Sequence, residues 1–282
     1  MQVREKQYAE HRIMVNGLNL HYTDWGNSHL PPMLLTHGAV ANALYWDLVA
    51  PAFRDNYHVV AVTARGRGKS DYSPEGKYDT GDYVQDFREL TVGLGLDKLI
   101  YVGQSLGGKI GMSYAAMYPD QVERMILVDI GAEASGGATR NPVAERPEVF
   151  NDLAEAEAWL RRFDRFSRLS GEAMEIVLKT SFHQLVNEQW ASSMAQALLG
   201  PGGGATGLGR PVSQPAWDLL PNIQCPTLLI HGALSDVLSD DMALRTRDSI
   251  PYCELVEIES GHLAHLENPS EFIRLIRDFL GR

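Results

Sequence analysis

Four short apolar runs, each closed by a turn residue, constrain this chain more than any other feature. They are "PPMLLTHG", "HVVAVTARG", "KLIYVGQS" and "VERMILVDIG". Near-continuous apolar runs of this length suit strands buried on both faces. Between the second and third lies "TGDYVQDFRELTVGLGLD", where Tyr83, Phe87, Leu90 and Leu94 recur at helical spacing. After the third comes "LGGKIGMSYAAMYPD", rich in small residues, helical, and stopped by Pro119. Two more runs, "CPTLLIHG" and "YCELVEIESGH", precede a last helix, "PSEFIRLIRDFL". Strands alternating with helices predict an α/β fold: a mostly parallel central sheet with helices on both faces. At the N-terminal end, "HRIMVNGLNLHYTDWG" places β-rich runs either side of Asn16-Gly17, a hairpin turn signal.

The pattern breaks after about residue 131. A Gly/Ala/Ser linker, "GAEASGGATRNP", leads into three stretches read as helices without strands. These are "PEVFNDLAEAEAWLRRFDRF", "SGEAMEIVLKTSFHQLV" and "NEQWASSMAQALLG", and a low-complexity loop, "GPGGGATGLGRP", follows. A chain of 282 residues is long enough for one large α/β domain carrying an insertion. The expected organisation is a core of residues 1–131 and 216–282, interrupted by a helical insertion of residues 132–215.

Charge and cysteine content narrow the partners. A formal net charge of −11 argues against nucleic acid or an anionic membrane, both of which need a basic face. The basic run Arg65-Gly66-Arg67-Gly68-Lys69 is read as a surface turn. Cys225 and Cys253 are too few for a disulfide framework or a metal site of paired cysteines, and a reducing compartment fits them. The N-terminal "MQVREKQYAEHRIMVNG" mixes charges and lacks the apolar run of a signal peptide. No stretch approaches the roughly 18 apolar residues of a membrane span. The expectation is a soluble cytoplasmic protein, with oligomeric state open.

The segment "YVGQSLGGKIGMSYA" supports two chemistries. Gly103, Gly108 and Lys109 have the spacing of a phosphate-cradling loop, but that loop needs Ser or Thr after the lysine to hold Mg²⁺, and Ile110 stands there. Such a loop also follows an early strand, whereas about four strands precede this one. Gly103, Ser105 and Gly107 instead have the G-x-S-x-G spacing of a sharp strand-to-helix turn presenting a nucleophilic serine. A serine hydroxyl needs an adjacent base, and the base needs a carboxylate to fix its tautomer. Asp236 follows "TLLIHG" and His262 follows "ELVEIES", in the chain order serine, acid, histidine.

The motifs "LLTHG", "ARGRGKS", "VGQSLGG", "LLIHGALSD" and "GHLAHLENP", in that order and spacing, resemble those of the α/β-hydrolase superfamily. The likeness spans nearly the whole core and puts the insertion where that family carries a cap. It implies a serine hydrolase without cofactor or metal, acting on a small or medium ester or lactone. It implies Ser105 as nucleophile, His262 as base and Asp236 as acid. Asp129 competes for the acid, because some relatives take it from the preceding strand end, and His265 is the rival histidine. The backbone N–H groups of Leu106 and Ala39 would form the oxyanion hole, with His37 bracing the loop. Thr63 departs from the Asp usual before the R-G-x-G-x-S turn. Relatives that cleave carbon–carbon bonds carry Asn before the serine and Trp after the histidine, whereas Gln104 and Leu263 stand here. Cofactor-free dioxygenases and ligand sensors share the fold and leave no separable signature. Trp159, Phe163, Phe166, His183 and Trp190 are candidates for the substrate pocket, equally readable as a packed core. Arg161, Arg162, Arg165 and Arg168 could meet a substrate carboxylate or form a solvated face.

Overall fold

The structure is a computed structural model, and it describes residues 7–133, 146–195, 198 and 216–281. The first strands, β1 (Ala9–Val15) and β2 (Leu18–Asp24), form the expected hairpin about Asn16-Gly17. Then come β3 (Pro32–Thr36), β4 (His58–Val62), α1 (Thr80–Gly93), β5 (Leu99–Gln104), α2 (Leu106–Met117) and β6 (Val122–Val128). The insertion holds β7 (Val149–Phe150), α3 (Leu153–Leu160), α4 (Asp164–Ser167), α5 (Gly171–Ser181), β8 (Phe182–Gln184) and β9 (Trp190–Ser192). The chain then returns through α6 (Ala216–Leu219), β10 (Thr227–Gly232), α7 (Asp240–Ser249), β11 (Cys253–Ile258), α8 (Ala264–Glu267) and α9 (Pro269–Leu280).

Eight strands form one sheet in the order β1-β2-β4-β3-β5-β6-β10-β11. From β4 to β11 every pairing is parallel. Alternate residues of the central strands feed two apolar layers. Leu34, Val60, Tyr101, Leu127 and Leu229 face the layer that holds α1 and α2 residues. Met33, Val59, Val102, Ile126 and Ile230 face the layer with Trp46, Phe272 and Ile276. Phe272 and Ile276, one turn apart on α9, are both fully buried. Truncating Phe272 to Ala would cost about 3–5 kcal/mol by the usual measure of large core side chains.

Helix α1 starts at a capping box, where Asp79 accepts from the third-position backbone and Asp82 returns the bond. Helix α2 gives way at Tyr118, before Pro119. Two sequence expectations change. The insertion is not purely helical, because β7, β9 and β8 form a three-stranded antiparallel sheet. "NEQWASSMAQALLG" supplies strand β9 where a helix was expected: only Trp190 in it is β-prone, and pairing with β8 on one side and β7 on the other overrides the helical preference of Ala191. The low-complexity loop and most of the linker lie outside the described residues.

The basic run is the second change. Arg65 and Arg67 are 5% and 0% exposed, so the turn is buried, not a surface one. Arg65 grips Asp86 through two hydrogen bonds of 2.6 and 2.5 Å. Arg67 donates to the carbonyls of Ala39 and Arg65 and to the Tyr83 hydroxyl. Planar guanidinium groups with several donors can satisfy such depth where a lysine could not. The insertion is stitched to this same turn: Gly68 N–H donates to Ser193 O at 2.7 Å, and Ala195 N–H to Gly66 O at 2.8 Å. Among the described residues no helix is long and apolar enough to cross a membrane.

Candidate active site

Ser105 sits between the end of β5 and the first residue of α2, at φ 51° and ψ −114°. A positive φ on a residue with a Cβ is costly, on the order of 1–3 kcal/mol, and persists only where its surroundings enforce it. They do so here by backbone contact. A Cβ on Gly107 would fall 2.4 Å from the Thr36 carbonyl oxygen, and one on Gly103 would fall 2.6 Å from the Gly107 oxygen. Only glycine lets α2 approach the sheet this closely. The serine N–H donates to Val128 O, which ties the turn to the end of β6.

His262, 5% exposed, follows β11. Its Nδ1 lies 2.7 Å from Asp129 Oδ2. Asp129 is the residue after β6 and holds a left-handed φ of 50°. The expectation of Asp236 as its partner is therefore corrected. Asp236 instead meets Arg165, with Oδ2 2.9 Å from Nη2. The reason is depth. Asp129 is fully buried just past the carboxyl end of the interior strand β6, whereas the Asp236 side chain is 25% exposed in the loop beyond β10.

Asp129 is ringed by donors. Gly232 N–H reaches Oδ1 at 3.0 Å, His231 Nδ1 lies 3.4 Å from the same oxygen, and the Ser235 hydroxyl donates to Oδ2. Burial pushes this carboxyl upward, but hydrogen bonds from His231, His262 and Ser235 outweigh it and hold the pKa at about 2. His231 also touches Asp240 through Nε2 at 2.9 Å. Its pKa is raised, first by the bond to Asp129 and against burial.

With Nδ1–H given to Asp129, Nε2 of His262 is left as an acceptor. The Gln104 amide donates to it at 3.2 Å and to the His262 carbonyl at 3.1 Å. Gln104 directly precedes Ser105, and the serine's own hydroxyl makes no hydrogen bond among the described residues. The rival His265 is fully buried, with neither ring nitrogen hydrogen-bonded, and packs 4.5 Å from the Trp46 ring. Burial lowers its pKa to about 3. It is a core side chain.

The amides expected to stabilise an oxyanion are braced. Leu106 is the first residue of α2, so its N–H has no partner within the helix. Ala39 has its carbonyl clamped by Arg67 Nε at 2.6 Å. His37 spans the loop: Nδ1 donates to Gly38 O at 2.7 Å and Nε2 accepts from Ala64 N–H at 3.0 Å. Burial, then the nearby Arg67 charge, lowers the His37 pKa to about 3, which keeps it neutral for both bonds. Thr63 takes over a turn-bracing role, accepting from Ala43 N–H and bonding His21.

The five pocket candidates divide. Trp159 and Phe166 line a small cavity against the core, and Phe163 packs on Trp159 at 4.9 Å. Trp190 is half-buried against the same apolar cluster, and His183 is exposed. Sequence reasoning missed Gln104 as a contact of His262, and His231 and Ser235 as supports of Asp129. It also missed Arg146, which lines the cavity. Among the described residues, ligand atoms of His231, Asp240 and Glu257 lie within 4.8 Å of one another, a spacing that could hold a metal ion. Two of the three are exposed.

A sequence profile of the alpha/beta hydrolase fold matches residues 31–269. The chain is 26% identical to 2-(acetamidomethylene)succinate hydrolase of Mesorhizobium japonicum, over 99% of this chain and 97% of that protein. It is 26% identical to a 2-hydroxy-6-oxononadienedioate/2-hydroxy-6-oxononatrienedioate hydrolase of a Pseudomonas species, over 95% and 93% of the two chains. The solved structure of E-2-(acetamidomethylene)succinate hydrolase superposes with a TM-score of 0.84 at 21% identity, covering 98% of this chain and 100% of that one. With the fold, the strained serine turn and the profile match in agreement, the chain belongs to the α/β-hydrolase family.

Proposed function

We propose that this protein is a serine hydrolase that cleaves a carboxylic ester or lactone of a small or medium organic molecule. The observation that carries the reading is the elbow serine at φ 51° whose preceding residue, Gln104, bonds an imidazole held by a buried, ionised Asp129. In this reading Ser105 Oγ attacks the substrate carbonyl carbon while its proton passes to His262 Nε2. The Gln104 amide gives up that nitrogen as substrate binds. Hydrogen bonds to a general base often align only in the substrate complex. The oxyanion is met by the Leu106 and Ala39 N–H groups. His262 returns the proton to the departing alkoxide, leaving an acyl group on Ser105. A water molecule then loses a proton to His262 and attacks the acyl carbon; the bond to Ser105 Oγ breaks, His262 returns that proton to Oγ, and the acid is freed. Asp129 stays ionised throughout and stabilises the imidazolium. Residues 132–215 serve as the cap over this site, and no cofactor is needed.

A rapid fluorophosphonate label on Ser105, together with p-nitrophenyl acetate turnover abolished in Ser105→Ala, supports the reading. Full turnover in that variant would refute it.

A second reading is hydrolysis of a carbon–carbon bond in a vinylogous diketone, favoured by the similarity to the oxononadienedioate hydrolase. Gln104 and Leu263, in place of Asn and Trp, weigh against it. Side-by-side turnover of a vinylogous diketone and a simple lactone separates the two.

A further inference from the structure

Arg146 is the one arginine bordering the cavity between the insertion and the core. Its Nη1 donates to the Ser192 hydroxyl at 2.6 Å, and its buried Nε has no hydrogen-bond partner. No carboxylate among the described residues pairs with it. The contrast with its neighbours is sharp. Arg161 is paired with Glu157, Arg165 with Asp236 and Arg168 with Glu267, while Arg162 is exposed to solvent. A guanidinium keeps its charge at neutral pH, and an uncompensated buried charge is costly. Burial also pulls the pKa of Arg146 down, with no acidic group opposing it.

The cavity around Arg146 is mostly apolar and carries one cluster of polar groups that could meet an anion. Its polar groups are the guanidinium and the hydroxyls of Ser192, Ser181 and Tyr45, the last two bonded to each other at 2.8 Å. Its walls include Trp159 and Phe166. The cavity is small, with room for a small polar group rather than a whole substrate. Val40 forms another wall and directly follows Ala39, the residue whose N–H is assigned to the oxyanion. A ligand anchored at Arg146 therefore lies against the loop that holds the reacting carbonyl.

We infer that Arg146 and the Ser192, Ser181 and Tyr45 hydroxyls form a carboxylate subsite, and that the substrate is an acyl compound bearing a second, free carboxylate on a short chain. The inference rests on the serine hydrolase reading for the reacting end of the substrate and on Arg146 for the other. It assigns specificity to a residue of the insertion; the acylation chemistry is unchanged.

The test compares monomethyl esters of the dicarboxylic acids from succinic to adipic with neutral methyl esters of matching chain length. For the best hemiester, kcat/KM in the wild type should exceed that of its neutral counterpart roughly tenfold or more. In Arg146→Gln that ratio should fall by about 10- to 100-fold, the usual effect of one charge-assisted contact. Arg162→Gln, which removes an exposed charge outside the cavity, should keep the wild-type ratio. A wild-type ratio at or below one, or a ratio unchanged in Arg146→Gln, overturns the subsite.

Binding of glutarate to Ser105→Ala, followed by calorimetry, reads the subsite without turnover. It should weaken by a similar factor in Ser105→Ala/Arg146→Gln and be partly restored by Arg146→Lys. If the Gln variant does not fold, competitive inhibition of the wild type by glutarate but not by glutaramide supports the subsite, and equal inhibition overturns it. Ser105 that resists fluorophosphonate while Ser105→Ala still binds glutarate through Arg146 would refute the hydrolase reading and leave the subsite standing.

Discussion

Two strand ends compete to supply the acid, and they differ in kind. The end of β6 puts Asp129 in a fully buried position, met by a backbone amide, two imidazoles and a hydroxyl. The loop beyond β10 puts Asp236 a quarter exposed, with Arg165 on one oxygen and nothing on the other. The first environment stabilises an ionised carboxylate with four hydrogen-bond donors, two of them imidazoles. The second neutralises its carboxylate with an arginine from the insertion. A group that must remain charged while its partner gains and loses a proton belongs in the first.

The comparison breaks most visibly at Asp129 itself. Asp129→Asn should lower kcat by about 10⁴-fold, because the amide no longer fixes the Nδ1–H tautomer of His262. Steady-state ester hydrolysis checks this, and near-normal turnover would return the role to Asp236.

His231→Gln should act next, lowering kcat by roughly tenfold through a less firmly held Asp129. It should also reshape stability against pH. The folded-state pKa of His231 is raised above 6.5, so its contribution to stability is complete below 6.5 and fades as pH climbs through the folded value. Thermal melts should show the variant losing more at pH 5.5 than at pH 9.

Ser235→Ala removes one donor from Asp129. The acid remains far below neutrality, so at pH 7 the loss should be about two- to fivefold in kcat, with the low-pH limb of the rate profile moving upward.

Asp236→Asn should change kcat least, within about threefold, and stability by no more than about 1 kcal/mol for a partly exposed pair. Melting curves and the same ester assay test both numbers.

The sheet was legible because buried parallel strands announce themselves as apolar runs, and the final helix because Phe272 and Ile276 fall one turn apart. The serine turn was legible too, since Gly103 and Gly107 are demanded by backbone contacts that no other residue permits. The acid was not. Asp129 and Asp236 both end strand-like segments, and spacing along the chain carries no record of which one sinks beside His262. Arg67 misled for a related reason: charge suggests solvent, and the Ala39 and Arg65 carbonyls and the Tyr83 hydroxyl waiting inside explain its burial. The insertion was the least readable region. The two-residue strand β7 and the three-residue strands β8 and β9 are too short for any periodicity to register.

Arg67 holds Ala39 from one side, while the turn that carries it is laced to residues 193 and 195 of the insertion. In the proposed mechanism, residues 193 and 195 therefore share an anchor with the amide assigned to the oxyanion, and a shift of that segment would reach Ala39 through Arg67.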